Sequence, residues 1–431
     1  MLRKVLIIAT YDNYEFSAPI EYTLNLILSN YDIEYRIIPY NQLDPNEWDN
    51  PLFISYSKDY MPISERQIHL HASDFFGDNY LKLPVIYPEN DIIASSFFMV
   101  SRYEEVVTSQ YDRFPANASI AYKERFLDRP IVNEYIDLLW SCIEPFGLER
   151  KLLTYPNNKT FAVCLTHDVD WLRQYSFPST PIVIGSRIIK HHKPREAIDI
   201  AIDYIKVLAR QKKDPFDTFD YIVNLEQSLN FKSTFFFLTD KASKSQELIS
   251  NLEQKGHEVG LHSNPINCSI ADEKREIDRA VFNSSYGCRQ HYLRFKVPDT
   301  WIAQQNADLL YDSTLSFAEH VGFRCGICTP FQPFNILTNQ PLSIWELPLT
   351  VMDTSLHGYQ KLSPEDAYRE IIDLIKTVKK HRGVFVLLWH NSSFVWEGWT
   401  EIYEQVLNYI SKQDAWVTDG REIVQWWNNH V

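Results

Sequence analysis

Phe161-Ala-Val-Cys-Leu-Thr-His-Asp-Val-Asp170 opens a pattern in which an apolar run ends directly in polar residues. Similar runs end at His262 and at His390, and a further predicted strand over 288–295 carries Arg289 and His291. Segments with helical periodicity separate these runs, and alternating strands and helices predict a parallel sheet. The number of units favours a barrel over an open sheet. The polar residues then lie at the carboxyl ends of the strands, where barrel enzymes carry their chemistry.

The hydrophobic periodicity predicts two regions, a smaller α/β domain over 1–150 and the barrel over 159–431. A segment rich in Pro and Asn, 149–158, is the predicted linker. In the first region we predict strands at 5–9, 33–38 and 83–87, and helices at 19–29, 91–107 and 132–143. In the second we predict strands at 161–166, 233–238, 258–261, 288–295, 344–351 and 383–388, and helices at 246–254, 271–282, 301–310, 365–379 and 401–410.

Composition excludes several classes of function. The chain has 431 residues and only 12 glycines, none before Gly77, so no dinucleotide-binding loop, Walker loop or GxSxG elbow is present. A net charge of −14 argues against nucleic acid as a partner. No apolar run has the ~20 residues of a membrane helix, and the N-terminus predicts a strand rather than a signal peptide, so we expect a cytoplasmic protein. Cys325 and Cys328 form one isolated CxxC pair, for which reduced thiols are the first expectation.

The paired aspartates carry the clearest chemical signal. Asp168 and Asp170 are two residues apart at a strand end, so both carboxylates face the same side. Two close carboxylates repel, which calls for a cation between them or a raised pKa. The alternative for the two aspartates is a structural turn at the end of the strand. For His262 and for His390, each taken singly, the alternative is a histidine that is hydrogen-bonded in the core. Their convergence on one barrel mouth favours a site.

Four motifs together resemble the polysaccharide deacetylases, that is, the NodB-homology domain of carbohydrate esterase family 4. They are Thr166-His-Asp-Val-Asp170, Gly256-His-Glu-Val-Gly-Leu-His-Ser263, Arg289-Gln-His-Tyr292 and Leu387-Leu-Trp-His390. The resemblance covers roughly 160–431 and implies a distorted (β/α) barrel of the NodB-homology type. Further runs resemble a branch with an extra N-terminal domain, to which Ser101-Arg-Tyr-Glu-Glu105 belongs.

The resemblance also implies roles for individual residues. Asp168 is the general base, Arg289 orients it, and His390 is the general acid. Asp170 and His262 bind a divalent metal, with zinc as the first choice.

One position departs from the family pattern. The family has a second metal-binding histidine about four residues after the first, where this chain has Ile266. A catalytic zinc usually has three protein ligands. His291 is the preferred third ligand, because it shares a strand face with Arg289; the alternative for His291 is a substrate contact or a packed side chain. Glu346 and Asn264 are weaker candidates.

Arg324 and Trp389 are candidates for holding the sugar, against the alternatives of a structural ion pair and a core residue. The leading hypothesis is a metal-dependent hydrolase that removes an acetyl group from an N-acetylated sugar in surface polysaccharide metabolism. The alternatives are a catalytically inactive carbohydrate-binding barrel and a metal-assisted hydrolase of another amide or ester.

Residues 171–211 form an insertion, interpreted as a lid, a membrane-surface contact or a solvated basic helix start. The sequence predicts no oligomeric state.

Overall fold

Two parallel sheets organise the chain, one in each predicted region. The computed structural model describes residues 5–10, 17–28, 34–48, 51–72, 91–108, 111–148, 150, 152, 154–266 and 268–430. The elements of the first region are β1 Val5–Thr10, α1 Ser17–Leu28, β2 Glu34–Pro39, β3 Leu52–Ser57, β4 Gln67–His71, α2 Ile92–Val100, α3 Tyr103–Val107, α4 Ile120–Lys123 and α5 Ile131–Ile143.

The elements of the second region are β5 Phe161–Val169, α6 Ser179–Ile189, α7 Pro194–Leu208, α8 Phe219–Ser228, β6 Ser233–Phe237, α9 Thr239–Ala242, α10 Gln246–Gln254, β7 Glu258–Ser263, α11 Ile270–Asp278, β8 Cys288–Gln290, α12 Asp299–Asn306, β9 Tyr311–Asp312, β10 Phe334–Asn335, β11 Gln340–Pro341, β12 Trp345–Glu346, β13 Val351–Met352, α13 Pro364–Lys380, β14 Val384–Leu388, α14 Trp399–Ser411, β15 Ala415–Val417 and α15 Gly420–Asn428.

The first sheet has the order β2-β1-β3-β4, with every pair parallel. The sequence predicted β1 and β2 but missed β3 and β4, and the strand predicted at 83–87 lies outside the described residues. The helix predicted at 91–107 is two helices, because Arg102 adopts a left-handed conformation with φ 53° between α2 and α3. The boundary between the regions, at 150–159, stays a prediction.

The second sheet has the order β12-β9-β8-β7-β6-β5-β14-β13, and β15 pairs with the start of β5. The strands of this path are parallel wherever they pair. The predicted single strand at 344–351 is wrong: β12 and β13 lie at opposite ends of the sheet. Only residues 347–350 join these two end strands, so the sheet curls back toward itself. The predicted distorted barrel, preceded by a smaller α/β domain, is confirmed.

The two regions share one hydrophobic core. It contains buried side chains from α1, α2 and α5 together with Cys325, Ile327, Phe331 and Phe334 of the second region. The Phe97 and Phe334 rings meet edge to face with centroids 5.2 Å apart, and the Tyr22 hydroxyl donates to the carbonyl of Gln332 at 2.7 Å. Each such large apolar side chain contributes about 1.5–3 kcal/mol when fully buried. Within the described ranges, no helix combines the length and apolarity needed to cross a membrane.

Candidate metal and catalytic site

Neighbouring strands of the curled sheet position the predicted site residues. Asp168 lies in β5 and Asp170 directly follows it, while His262 lies in β7 and Arg289 in β8. His390 lies two residues beyond β14, which pairs with β5. Because these strands are parallel, their carboxyl ends meet at one edge, and the side chains converge there.

Asp170, His262 and His291 form a group whose donor atoms all lie within 4.8 Å of one another. Oδ1 of Asp170 is 3.1 Å from Nε2 of His262 and 3.5 Å from Nε2 of His291. Zinc bonds of 2.0–2.1 Å in a tetrahedron separate ligand atoms by about 3.3 Å. These spacings therefore suit two nitrogens and one oxygen around a single ion.

A polar atom left without a partner points to the same conclusion. Among the described residues, Oδ1 of Asp170 has no hydrogen-bond partner, although it is buried. A buried polar atom without a partner is costly, and an ion beside the Asp170 oxygen would remove that cost. The donor set of one carboxylate and two imidazoles also fits a divalent transition metal.

The protonation of the two histidines differs. Nδ1–H of His262 donates to the carbonyl of Arg289 at 3.0 Å, which leaves Nε2 directed at Asp170 as a ligand atom. Burial lowers the pKa of His262, but Asp168 and Asp170 raise it by more. Burial and the neighbouring His262 lower the pKa of His291 to about 4. His291 is therefore neutral at neutral pH, as a metal ligand must be.

The position of His291 has a different origin from the one predicted. The strand predicted at 288–295 ends at Gln290, because Tyr292 and Leu293 have φ values of 60° and 53° and turn the chain. His291 therefore begins a turn at the strand end instead of continuing the strand face of Arg289. Its ring stacks on Tyr292, with centroids 3.8 Å apart.

Asp168 is held on one side by Arg289. The Nη1 of Arg289 donates to Oδ1 of Asp168 at 3.0 Å and to Oγ1 of Thr166 at 2.8 Å. The same guanidinium donates to the carbonyl and the hydroxyl of Ser313, and it is fully buried. Oδ2 of Asp168 lies 3.7 Å from Nε2 of His262. One carboxylate oxygen is therefore fixed by a permanent cation, and the other faces the group of potential ligands.

His390 has a buried carboxylate partner, Asp353, which the sequence analysis missed. Nδ1 of His390 lies 2.7 Å from Oδ1 of Asp353, and the His390 backbone N–H donates to Oδ2 at 2.7 Å. Burial lowers the pKa of His390, but Asp353 and then Asp170 raise it to about 10 overall. Nε2 of His390 lies 3.9 Å from Oδ2 of Asp170. Asp353 directly follows β13, so the rule that located the other site residues at strand ends would have found it.

Two predicted substrate contacts are wrong. Arg324 is 1% exposed and donates to both carboxylate oxygens of Glu105 and to the carbonyl of Ser316. Trp389 is fully buried and packs against Trp399 and Tyr403. Neither side chain can reach a ligand in the barrel mouth, because both are enclosed in the interior.

Glu346, a weaker metal-ligand candidate, lies outside the group of Asp170, His262 and His291. Glu346 is fully buried and accepts from Nε1 of Trp301 at 2.8 Å; burial and Asp312 raise its pKa well above the usual range. Ile266, at the position of the family's second histidine, is 68% exposed, and its apolar side chain offers no ligand atom. Cys325 and Cys328 are buried free thiols, and among the described residues the only metal-binding group found is Asp170, His262 and His291.

Comparison with known proteins gives two family matches. The polysaccharide deacetylase family model matches residues 213–390, and a family of unknown function matches residues 8–147. No curated protein matches the chain significantly.

Solved structures show weak likeness. A Mycobacterium smegmatis protein assigned as a polysaccharide deacetylase is 17% identical, with 64% of this chain and 93% of that chain covered and a TM-score of 0.46. A Pseudomonas aeruginosa protein assigned the same activity is 12% identical, with 64% and 93% covered and a TM-score of 0.43. A family 4 pseudoenzyme from Bacillus anthracis is 14% identical, with 63% and 66% covered and a TM-score of 0.32.

The second region of the chain is therefore similar to the polysaccharide deacetylase family over residues 213–390, and a region that matches a family of unknown function precedes it. The predicted class, a deacetylase-type hydrolase of amide bonds, is confirmed at the level of the family. Enzymes of this family generally depend on a metal, and the chain has a possible His/Asp site for one.

Proposed function

We propose that the protein is a metal-dependent hydrolase that removes an acetyl group from an N-acetylated sugar in cytoplasmic metabolism of surface polysaccharides. The observation that carries this proposal is the convergence of three elements at one barrel mouth. They are the group Asp170, His262 and His291, the Asp168–Arg289 pair, and the Asp353–His390 pair. The family match gives the reaction class, and the geometry supplies a base, an acid and ligand atoms in one place.

Asp170, His262 and His291 would hold a divalent ion, with zinc as the proposed metal. Such an ion lowers the pKa of water and polarises an acyl oxygen. In this chain, Asp168 accepts the proton of the attacking water. The buried guanidinium of Arg289 fixes the direction of the Asp168 carboxylate, since it binds Oδ1 and leaves Oδ2 facing His262.

His390 supplies the proton to the departing amine. An amine is a poor leaving group unless it is protonated as the bond breaks, so this step requires an acid. With its pKa raised to about 10, His390 carries that proton at neutral pH. Asp353 fixes the ring through Nδ1, and Nε2 faces the site.

The test is acetate release by the wild type and by Asp168→Asn on a panel of N-acetylated sugars, simple amides and esters. We expect acetate from the sugars, and a loss of about 10²–10⁴-fold in the variant, the usual contribution of a general base. Asp240→Asn, which changes an exposed aspartate, is the matched control. Thermal unfolding and metal content show whether Asp168→Asn remains folded and loaded.

Three outcomes would contradict the proposal. Near-normal acetate release by Asp168→Asn would exclude the proposed base. Turnover of simple amides or esters alone would favour another hydrolase. Binding of the sugars without any acetate release by the metal-loaded wild type would identify an inactive carbohydrate-binding barrel.

A further inference from the structure

Helices α6 and α7 form a hairpin inserted directly after Asp168 and Asp170, and part of its outer surface is apolar. Ile182 and Ile189 of α6 are exposed, as are Ile198, Ile202, Ile205 and Leu208 of α7, at 44–74% of their surface. On α7 the spacing of four, three and three residues places these side chains along one face of the helix. A continuous apolar stripe on a surface helix indicates a binding surface rather than scattered exposed residues.

The charge of the same segment is opposite to that of the rest of the chain. Residues 171–213 contain nine lysines and arginines and three acidic residues, for a net charge of +6, whereas the chain carries −14. Lys190, Arg195 and Arg210 form no ion pair with any described residue, although other bases of the hairpin pair with Glu196 and Asp203. The hairpin therefore combines an apolar stripe with basic groups available to an anionic partner.

The length of α7 indicates whether the helix could span a membrane or only lie on its surface. The 15 residues of α7 span about 22 Å, which is shorter than the ~30 Å of a bilayer's hydrocarbon core. A short amphipathic helix with basic residues lies in the interface, with its apolar face among the acyl chains and its bases at the headgroups. Anionic headgroups would complement the charge of the segment.

The hairpin is also connected to the candidate site. Trp171 follows Asp170 directly, and it lines an open groove of about 1150 Å³ together with Phe177 and Ser179 at the start of α6. Lys241 and Lys244 line the same groove. The match to the family model begins at 213, after the hairpin. A partner that binds the hairpin would therefore lie beside this groove, which begins at the residue after Asp170.

We propose that the α6–α7 hairpin binds the surface of an anionic phospholipid bilayer and holds the barrel mouth beside it. The stripe of Ile198, Ile202 and Ile205 inserts among the acyl chains, and Lys190, Arg195 and Arg210 contact lipid phosphates. This interaction requires no catalytic turnover.

The test is flotation of the full chain with vesicles of phosphatidylcholine alone and with about 30% phosphatidylglycerol added. We expect binding to the anionic vesicles only, weakened by high salt. The triple substitution Ile198→Gln/Ile202→Gln/Ile205→Gln removes the stripe. We expect roughly hundredfold weaker binding, because each substitution removes part of the favourable free energy of transferring an apolar side chain from water to the acyl chains. Phe282→Gln/Leu337→Gln is the control, since these exposed apolar residues lie outside the hairpin.

A second variant tests the charges. Lys190→Gln/Arg195→Gln/Arg210→Gln is expected to weaken binding about fivefold for each base, or about a hundredfold in total. Circular dichroism shows whether each triple variant keeps its helices. Asp168→Asn is expected to bind vesicles like the wild type, so that membrane binding and catalysis are tested separately.

Binding by a folded triple variant at the wild-type level would overturn the proposal, as would a wild type that binds neither vesicle. A wild type that is dimeric without lipid and becomes monomeric in the isoleucine variant would also overturn it, because a second copy of the chain would then cover the stripe.

Discussion

Glu105→Gln tests the interface between the two regions. The Glu105 side chain is 4% exposed and accepts from Nε of Arg102 at 2.7 Å, and from Nε and Nη2 of Arg324 at 3.0 and 2.6 Å. The substitution keeps the shape of the side chain but removes the charge between two fully buried guanidinium groups. Arg102 retains Glu104 as a partner, whereas Arg324 retains, among the described residues, only the carbonyl of Ser316 and the Phe317 ring.

The expected cost follows from the loss of the carboxylate. Removing one partner of a buried ion pair costs about 3–5 kcal/mol. The amide oxygen still accepts one hydrogen bond, which places the expected loss near the lower end, about 3 kcal/mol. For a cooperative unit of 431 residues, whose unfolding entropy at about 2.1 cal/mol/K per residue is about 0.9 kcal/mol/K, that corresponds to a fall of about 3 °C in the unfolding midpoint.

The assay is thermal and urea unfolding of the wild type, Glu105→Gln and a matched control, Glu319→Gln. Glu319 lies 3.4 Å from Arg113 with both side chains about 30% exposed, so its substitution should cost about 0–1 kcal/mol. An effect of Glu105→Gln no larger than that of the control would refute the reasoning.

The pH dependence gives a second check on the same carboxylate. Burial raises the pKa of Glu105, but Arg324 and Arg102 lower it by more, so its pKa in the folded protein lies below 4.5. Its contribution to stability is therefore present above pH 4.5 and is lost as the pH falls below that value toward the folded pKa. In Glu105→Gln this part of the acid dependence should be missing.

Two further predictions concern the site. In Asp353→Asn, the pKa of His390 should fall from about 10 toward 6.5. Because His390 acts when protonated, the alkaline limb of the pH–rate profile should move to lower pH by up to about three units. An unshifted limb would show that Asp353 does not set this pKa. Metal affinity, measured by competition with a chelator, should weaken as the pH falls through the raised pKa of His262, by up to about tenfold per pH unit. The reason is that the ion and the proton compete for Nε2. An affinity independent of pH would exclude His262 as a ligand.

The sequence identified most of the site because polar residues at strand ends are a positional signal. Asp168, Asp170, His262 and His390 all followed from apolar runs that end in functional groups, whereas Arg289 was identified through the resemblance to the family's arginine motif. That signal depends only on strand position and not on side-chain contacts, so one sequence was sufficient.

The errors arose where side-chain direction or pairing decided the outcome. Trp389 adjoins His390 in sequence, but successive residues of an extended chain point to opposite sides, and the tryptophan therefore packs inward. Arg324 could be placed only through its partner Glu105, which is 219 residues away in the chain.

Short or half-exposed strands also gave weak signals. Strand β4 is half-exposed and reads Gln-Ile-His-Leu-His, and β12 and β13 have two residues each. Strands this short carry too little periodicity to separate from loops, so the single strand predicted across 344–351 could not be divided correctly.

Metal stoichiometry is the measurement that most directly tests the proposed site. The purified protein, its His291→Ala variant and the control His320→Ala would be loaded with zinc, desalted and analysed for metal and protein. We predict about one ion per chain in the wild type and the control, and a marked loss in His291→Ala, because two ligands replace three. Undiminished metal in His291→Ala would exclude this histidine as a ligand, and no metal in any of the three proteins would contradict the proposed metal-dependent activity.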